Sequence, residues 1–358
     1  MIDPVTPFEG VLTHHEFQSS DFWYWGLPYT HVLGGWATAS LFAPLLPDAF
    51  GFLGARAFNW LLSLPFGLAL VLLARNFGVS RPWSLVAAAA VLFIPQVIFV
   101  FSSFNSDAFG LTIVALSALA FQSLERHPPP AKLLLFGIGC GLLLTVKLYF
   151  LPALIYFLCL YCVGLLTGSY SFSRRGAVIL AAGIVIAAFP ILLGTYLRFG
   201  EILGASGQFQ FAELHRASPS ARYGTCFLFC GGQLLHVDNL HWWLSTTFAS
   251  FFAVLGWMNI LIPAPFYEYV FPFAAISLFL LSVAWSARAL IMRRGLIVAH
   301  PFFFWAMVAG TALMSLLSSQ TTLPQPQGRY IFVVVPFIPL MIAALLSPDR
   351  LPAREQKG

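Results

Sequence analysis

Phe104-Asn105-Ser106-Asp107-Ala108-Phe109-Gly110 is a short polar knot between two long apolar runs, residues 82–101 and 107–124. Each run is about the 20 residues that a helix needs to cross a hydrocarbon layer of ~30 Å. The knot is then a turn at a membrane surface. Asp107 stands at the mouth of the second run, where an isolated carboxylate is costly in lipid. Two later places share that character: Lys147 lies inside an apolar stretch, and Gln327-Gly328-Arg329-Tyr330 heads the last one. The three are expected to meet on one face of a membrane and to hold an anionic, lipid-linked substrate.

The rest of the chain agrees. Of its 358 residues, 59% are hydrophobic and only 9% are charged, with 37 Phe, whereas a soluble domain carries roughly 25% charged residues. No soluble interior takes up that much apolar surface. In lipid every backbone group must be paired within the protein, and these runs are too long for barrel strands. The expected fold class is therefore all-α, a polytopic transmembrane helical bundle. Spans are expected at 55–74, 82–101, 107–124, 176–197, 268–289, 299–318 and 330–347. The run 132–167 is about twice the length of one crossing. It reads as two helices that turn at Lys147-Leu148-Tyr149-Phe150-Leu151-Pro152. Residues 29–46, broken by His31, Gly34, Gly35 and Pro44, are either a further span or a helix lying at the interface. That makes about 9–10 spans in one integral-membrane domain over 1–358. Residues 1–53 form an outer-face juxtamembrane segment, and 198–267 an outer-face loop with an interfacial helix over 244–262 that holds Trp242, Trp243 and Trp257. Residues 1–28 lack the basic start and apolar core of a cleavable signal.

Orientation follows from the basic residues. Arg75, Arg81, Arg126, Lys132, Arg174, Arg175, Arg288, Arg293, Arg294, Arg350, Arg354 and Lys357 all fall on one side of this arrangement, 12 of the 18 Lys and Arg. Of the acids only Glu125, Asp349 and Glu355 join them. Cytoplasmic loops carry such an excess, so the three polar places face outside. The formal charge of +5 is spent on topology and implies no nucleic acid.

Asn105 and Asp107 at a helix start suit an N-cap and the helix dipole, or a site amide and carboxylate in an aqueous cavity. Lys147 is either a snorkelling lysine or a cation for a phosphate oxygen. Arg329, with Tyr330 beside it and Gln327 before it, works against the charge bias at an outer helix end. An outer-leaflet phosphate gripped by its guanidinium accounts for it. Arg56 is a weaker cation of the same kind. Glu9, Glu16, Asp21 and Asp48 lie on the same face, where one acid could serve as general base for an attacking hydroxyl, and nothing in the sequence picks between them. His14-His15 and His236…His241 do not have metal-ligand spacing. No Asp-x-Asp pair, glycine-rich phosphate loop or Gly-x-Ser-x-Gly turn is present.

The order of residues 56–124 is an arginine-led helix, a short basic loop, a helix ending at an Asn-x-Asp, and a third helix. It resembles the polytopic GT-C class of glycosyltransferases. Phe251-Phe252-Ala253-Val254-Leu255-Gly256-Trp257-Met258, then Ile262-Pro263, Tyr267 and Gln327-Gly328-Arg329-Tyr330, are similar to a bacterial membrane-protein family catalogued as domain of unknown function 2142. The likeness runs over roughly 50–347. It implies a polyprenyl-phosphate sugar as donor and a cell-envelope acceptor. The setting is the outer face of the bacterial inner membrane. Enzymes of this layout carry an acidic base in a first outer loop after a first helix, which puts Glu16, Asp21 or Asp107 forward as catalytic. Asn105, Lys147, Arg329, Tyr330, Gln327 and Arg56 are put forward for substrate. The chain departs from the layout in having no clear helix before residue 29, so either 29–46 serves as first span or the start is displaced. No cofactor is expected, and a divalent metal stays open. A lipid-linked-sugar transporter and a non-catalytic scaffold of envelope assembly are the competing readings. A transporter is expected to show an inverted repeat, and none stands out.

Overall fold

The computed structural model describes residues 51–103, 106–200, 202, 228–230, 233–235, 237–255, 260–292, 295–321 and 327–346. The expected segment at 29–46, the Gly256-Trp257-Met258 motif, most of the loop 198–236, and Arg293 and Arg294 lie outside those residues. Within them the chain is helical apart from two short hairpins. Helices α1 (Gly51–Asn76), α2 (Arg81–Leu92), α3 (Pro95–Ser102), α4 (Asp107–Gln122), α5 (Pro130–Thr145), α6 (Leu151–Leu166) and α7 (Arg174–Phe199) come first. An antiparallel pair β1 (Leu228–Cys230) and β2 (Gln233–Leu235) precedes α8 (Val237–Ala253). A second pair, β3 (Val254–Leu255) and β4 (Ile260–Leu261), leads to a π-helical turn at Phe266–Val270. Then follow α9 (Phe271–Met292), α10 (Gly295–Thr321), a 3-10 segment (Gly328–Phe337) and α11 (Ile338–Leu346).

The chain carries the long apolar helices of a membrane protein. Among the described residues four helices are long and apolar enough to cross a bilayer: Arg56–Asn76, Arg174–Leu197, Phe266–Ile291 and Ala299–Leu317. The pair α2–α3 would make a fifth if it is one broken span. Large apolar side chains stand exposed along these helices, as Phe273, Ile276, Phe279 and Leu280 do on α9. Helices α4, α5 and α6 are shorter, at 16 residues each, and α4 is the innermost, with most of its side chains buried.

Three expected elements differ from the structure, each for a local reason. The run 82–101 is bent by 74° between α2 and α3. Pro95 excludes Ile94 from the helical region, and Ile94 takes φ −61°, ψ 121°. The last run does not start as an α-helix at residue 330. It opens as ten residues of 3-10 helix, where the β-branched Val333-Val334-Val335 and then Pro336 weaken the α-form. The helix expected over 244–262 starts earlier, at Val237, and stops at Ala253, where the chain turns into β3 and β4. Tyr267 secures that turn: its hydroxyl donates to the Ala253 carbonyl.

Two ends of the helical core can be told apart. Helices α1 and α4 run side by side in the same direction. Asn59 Nδ2 donates to the Ser103 carbonyl at 2.5 Å near their starts, and Asn76 Nδ2 donates to Gln122 Oε1 at 3.3 Å at their ends. At that second end Lys132 pairs with Glu125 at 2.7 Å, and Ser171 N donates to Arg126 O at 2.7 Å, so the α4–α5 and α6–α7 connections lie together. Arg126, Lys132, Arg174 and Arg175 sit on or beside these connections. Asp107 and the Lys147 turn lie at the opposite end.

Helices α5 and α7 approach closely because Gly137, Gly141 and Gly183 carry no side chains. A Cβ on Gly137 would overlap the Leu180 carbonyl, one on Gly141 the Ile184 carbonyl, and one on Gly183 the Leu134 carbonyl. Small residues at such crossings let backbones touch, which is the main packing route available in lipid. Gly194 on the same α7 helix has open space around it. Gly137→Leu is expected to lower the thermal midpoint of the detergent-purified protein by several degrees or abolish its expression. Gly194→Ala should leave the midpoint unchanged or raise it. Equal effects of the two would refute this packing.

Candidate functional site

Lys147, Asp107 and Arg329 come from three separate stretches, and the fold brings them together. Lys147 Nζ donates to Asp107 Oδ1 at 2.8 Å. Arg329 Nε lies 3.6 Å from Asp107 Oδ2, an ion pair rather than a hydrogen bond. The Asp107 side chain is 2% exposed, against 14% for Lys147 and 23% for Arg329. The carboxylate is therefore sealed beneath two partly accessible cations. A buried charge is tolerated only with a partner, and here two cations share one.

Local structure explains each position. Ser106 precedes the first turn of α4, with φ −81° and ψ −8°, and its hydroxyl makes no capping bond. That hydroxyl is buried and has no hydrogen-bond partner. The start of α4 is thus shaped by the ion pairs of Asp107 rather than by a side-chain cap. Lys147 follows α5, whose last turn ends at an extended Val146, and a single 3-10 turn over Leu148–Phe150 carries the chain into α6. Phe150 presses its ring onto Gly110 of α4, where a Cβ would overlap it. This contact sets the Lys147 turn against the first turn of α4. The 3-10 segment is held in the same way. The Gly328 amide donates to Ser250 Oγ of α8 at 2.7 Å, and a Cβ on Gly328 would overlap the Thr247 carbonyl and the Phe251 backbone. Only glycine allows that approach, and it fixes where Arg329 starts. The Tyr149 and Tyr330 rings then stack at 3.8 Å and 11°, joining the Lys147 turn to the Arg329 turn.

The other expected site residues fall into two groups. Arg56 lies in the early turns of α1, at the same end as Asp107, and is half-buried; Gln327 is half-buried directly before Gly328. Asn105, Glu16 and Asp21 lie outside the described residues. Ser106 and Tyr149 join the site although no pattern in the sequence singles them out. Their only signals were adjacency to Asp107 and a place in the Lys147 turn. The remaining described acids stand apart from the cluster: Glu125 pairs with Lys132, and Asp238 and Glu268 are exposed. Among the described residues no three His, Cys, Asp or Glu side chains gather as metal ligands would.

Chemically, the cluster is a pair of cations that, among the described residues, carries one positive charge beyond what its carboxylate neutralises. Compared with known proteins, the chain matches no family model, no curated protein and no solved structure.

Removing the shared carboxylate leaves two buried cations facing each other, a change that costs about 3–5 kcal/mol for a buried pair. Asp107→Ala should therefore unfold well below the wild type in a detergent melt followed by tryptophan fluorescence. Adding Lys147→Met to Asp107→Ala should recover a good part of the loss. A double variant no better than the single one would show that the two side chains do not act as a pair.

Proposed function

We propose that the chain is a polytopic membrane protein that binds the phosphate of a polyprenyl-phosphate sugar at Lys147 and Arg329, and that it transfers the sugar to a cell-envelope acceptor as a GT-C-type glycosyltransferase. One observation carries the binding half of this reading: two cations from distant stretches converge on one buried carboxylate, so that among the described residues they carry one positive charge more than it neutralises. Such a charge in an apolar setting calls for an anionic partner. A guanidinium and an ammonium side by side suit phosphate oxygens, the first as a two-pronged donor and the second as a point charge. The transferase half rests on the resemblance of residues 56–124 and of the Gln327–Tyr330 motif to GT-C-like families.

Helix length supports a lipid-borne ligand. Sixteen residues rise about 24 Å, less than the ~30 Å of a hydrocarbon core. Helices α4 and α5 meet the cluster at their short ends, so the charges would sit below the membrane surface, at the depth of a lipid phosphate. The basic connections at the opposite end would face the cytoplasm under the positive-inside rule, which turns the cluster outward on a bacterial inner membrane.

In the proposed reaction an acceptor hydroxyl oxygen attacks the anomeric carbon. The bond from that carbon to the phosphate oxygen breaks, and the polyprenyl phosphate leaves with the electron pair. Lys147 and Arg329 stabilise the charge that develops on it. The hydroxyl proton passes to a carboxylate of the first outer segment, Glu16 or Asp21. Asp107 holds the two cations in place as a positioning residue.

Native mass spectrometry of the full chain in detergent tests the binding step. The wild type should retain added polyprenyl phosphate, and Lys147→Ala and Arg329→Ala should each lose most of it while still folding. Retention of ordinary phospholipids alone, identical in all three proteins, would rule the site out. Transfer of radiolabelled sugar to membrane fractions should fall by at least ~10²-fold in the same variants, as expected when a group that stabilises developing charge is removed.

A further inference from the structure

Next to the cations, the structure holds polar atoms of a different kind. Trp243 and Thr247 lie one turn apart on α8, on the face that meets the 3-10 segment, and are 4% and 5% exposed. The Trp243 Nε1 hydrogen and the Thr247 hydroxyl are buried without a hydrogen-bond partner, and so is the Gln327 Oε1 carbonyl. Thr247 and Gln327 are neighbours through Gly328: its amide is bonded to Ser250 Oγ, and a Cβ on it would overlap the Thr247 carbonyl. The same α8 face has already spent its Ser250 hydroxyl, which donates to the Thr246 carbonyl at 2.7 Å.

Buried polar atoms in native proteins are almost always paired, and each exception calls for an explanation. Leaving three close together would be costly. Replacement by Phe, Val and Leu would remove that cost, so the sequence retains these side chains against stability. Their chemistry is neutral: one donor, one hydroxyl that both donates and accepts, and one acceptor. Such a set does not attract charge. It matches a group that offers several hydroxyls, each able to give and to take a hydrogen bond.

We infer that Trp243, Thr247 and Gln327 recognise the neutral, polyhydroxylated headgroup that is esterified to the phosphate held by Lys147 and Arg329. This inference rests on the phosphate-site reading and adds the part of the ligand that gives selectivity. The cations hold the phosphate common to all such lipids. The α8 face reads the sugar. Sites built around hydrogen-bonding groups reject ligands that lack the matching hydroxyls, because their own polar atoms then stay unpaired.

Two probes separate the inference from the reading beneath it. Binding of polyprenyl phosphate and of the corresponding polyprenyl-phosphate hexose is measured by titration native mass spectrometry on the full chain. The wild type should bind the hexose ester about tenfold more tightly than the bare phosphate. Trp243→Phe, Thr247→Val and Gln327→Met keep size and remove the polar atom. Each should lose about twofold of that preference, its share of tenfold divided among three hydrogen bonds, and leave bare-phosphate binding unchanged. Lys147→Ala should lose both ligands. Binding of neither lipid by the wild type would end the phosphate reading itself. Equal binding of the two lipids, or an unchanged preference in all three α8-face variants, would end the saccharide inference and leave the phosphate site standing. If Trp243→Phe fails to fold, Thr247→Val, a smaller change, decides the matter.

Discussion

The Asp107 carboxylate, shared by Lys147 and Arg329, is the interaction that much of this structure serves. It joins the start of α4, the turn between α5 and α6, and the head of the 3-10 segment. None of these three charges would be stable alone in apolar surroundings. Their convergence therefore constrains three chain segments at once, and the packing around them is arranged accordingly. Phe150 fills the space that Gly110 leaves, Gly328 lets its strand of chain settle on α8, and Tyr149 stacks on Tyr330. Each contact brings one cation-bearing turn to its place. Stability and site geometry here are one property.

Charge is divided along the helices with the same economy. At one end Glu125 and Lys132 form a partly exposed pair beside arginines that have ready access to water. An ion pair of that kind contributes little to stability. At the other end the described ions are few, and the carboxylate they share is sealed. The cluster, with two cations on one carboxylate among the described residues, has no counterpart in a bundle built only of apolar side chains. Beside it, the unpaired polar atoms of α8 and Gln327 keep groups in the interior that packing alone would have replaced.

Much of this was open to reading in the residues. The long apolar runs, the scarcity of charge and the double-length run at 132–167 give the helices and the turn at Lys147, because hydrophobic length maps directly onto helix length. Asp107, Lys147 and Arg329 stand out for the same reason: each is an expensive residue in cheap surroundings. Local irregularities were harder. Pro95 and Pro336 are visible in the sequence. Whether a proline bends a helix, ends it or shifts it into a 3-10 form depends on what packs around it. The boundary of α8 was hidden by an apolar run that continues through β3, where composition alone cannot separate helix from hairpin.

Residue chemistry alone defines a chain of apolar helices with three isolated charged places, since transfer free energies act residue by residue and need no partners. Packing across the fold makes those three places one, lets Asp107 share its charge with two cations, and sets Tyr149 against Tyr330 beside them. Such facts depend on contacts between residues 40 or more positions apart, as between Asp107 and Lys147. They arise from where glycines permit helices to touch, and no local pattern in the chain records that.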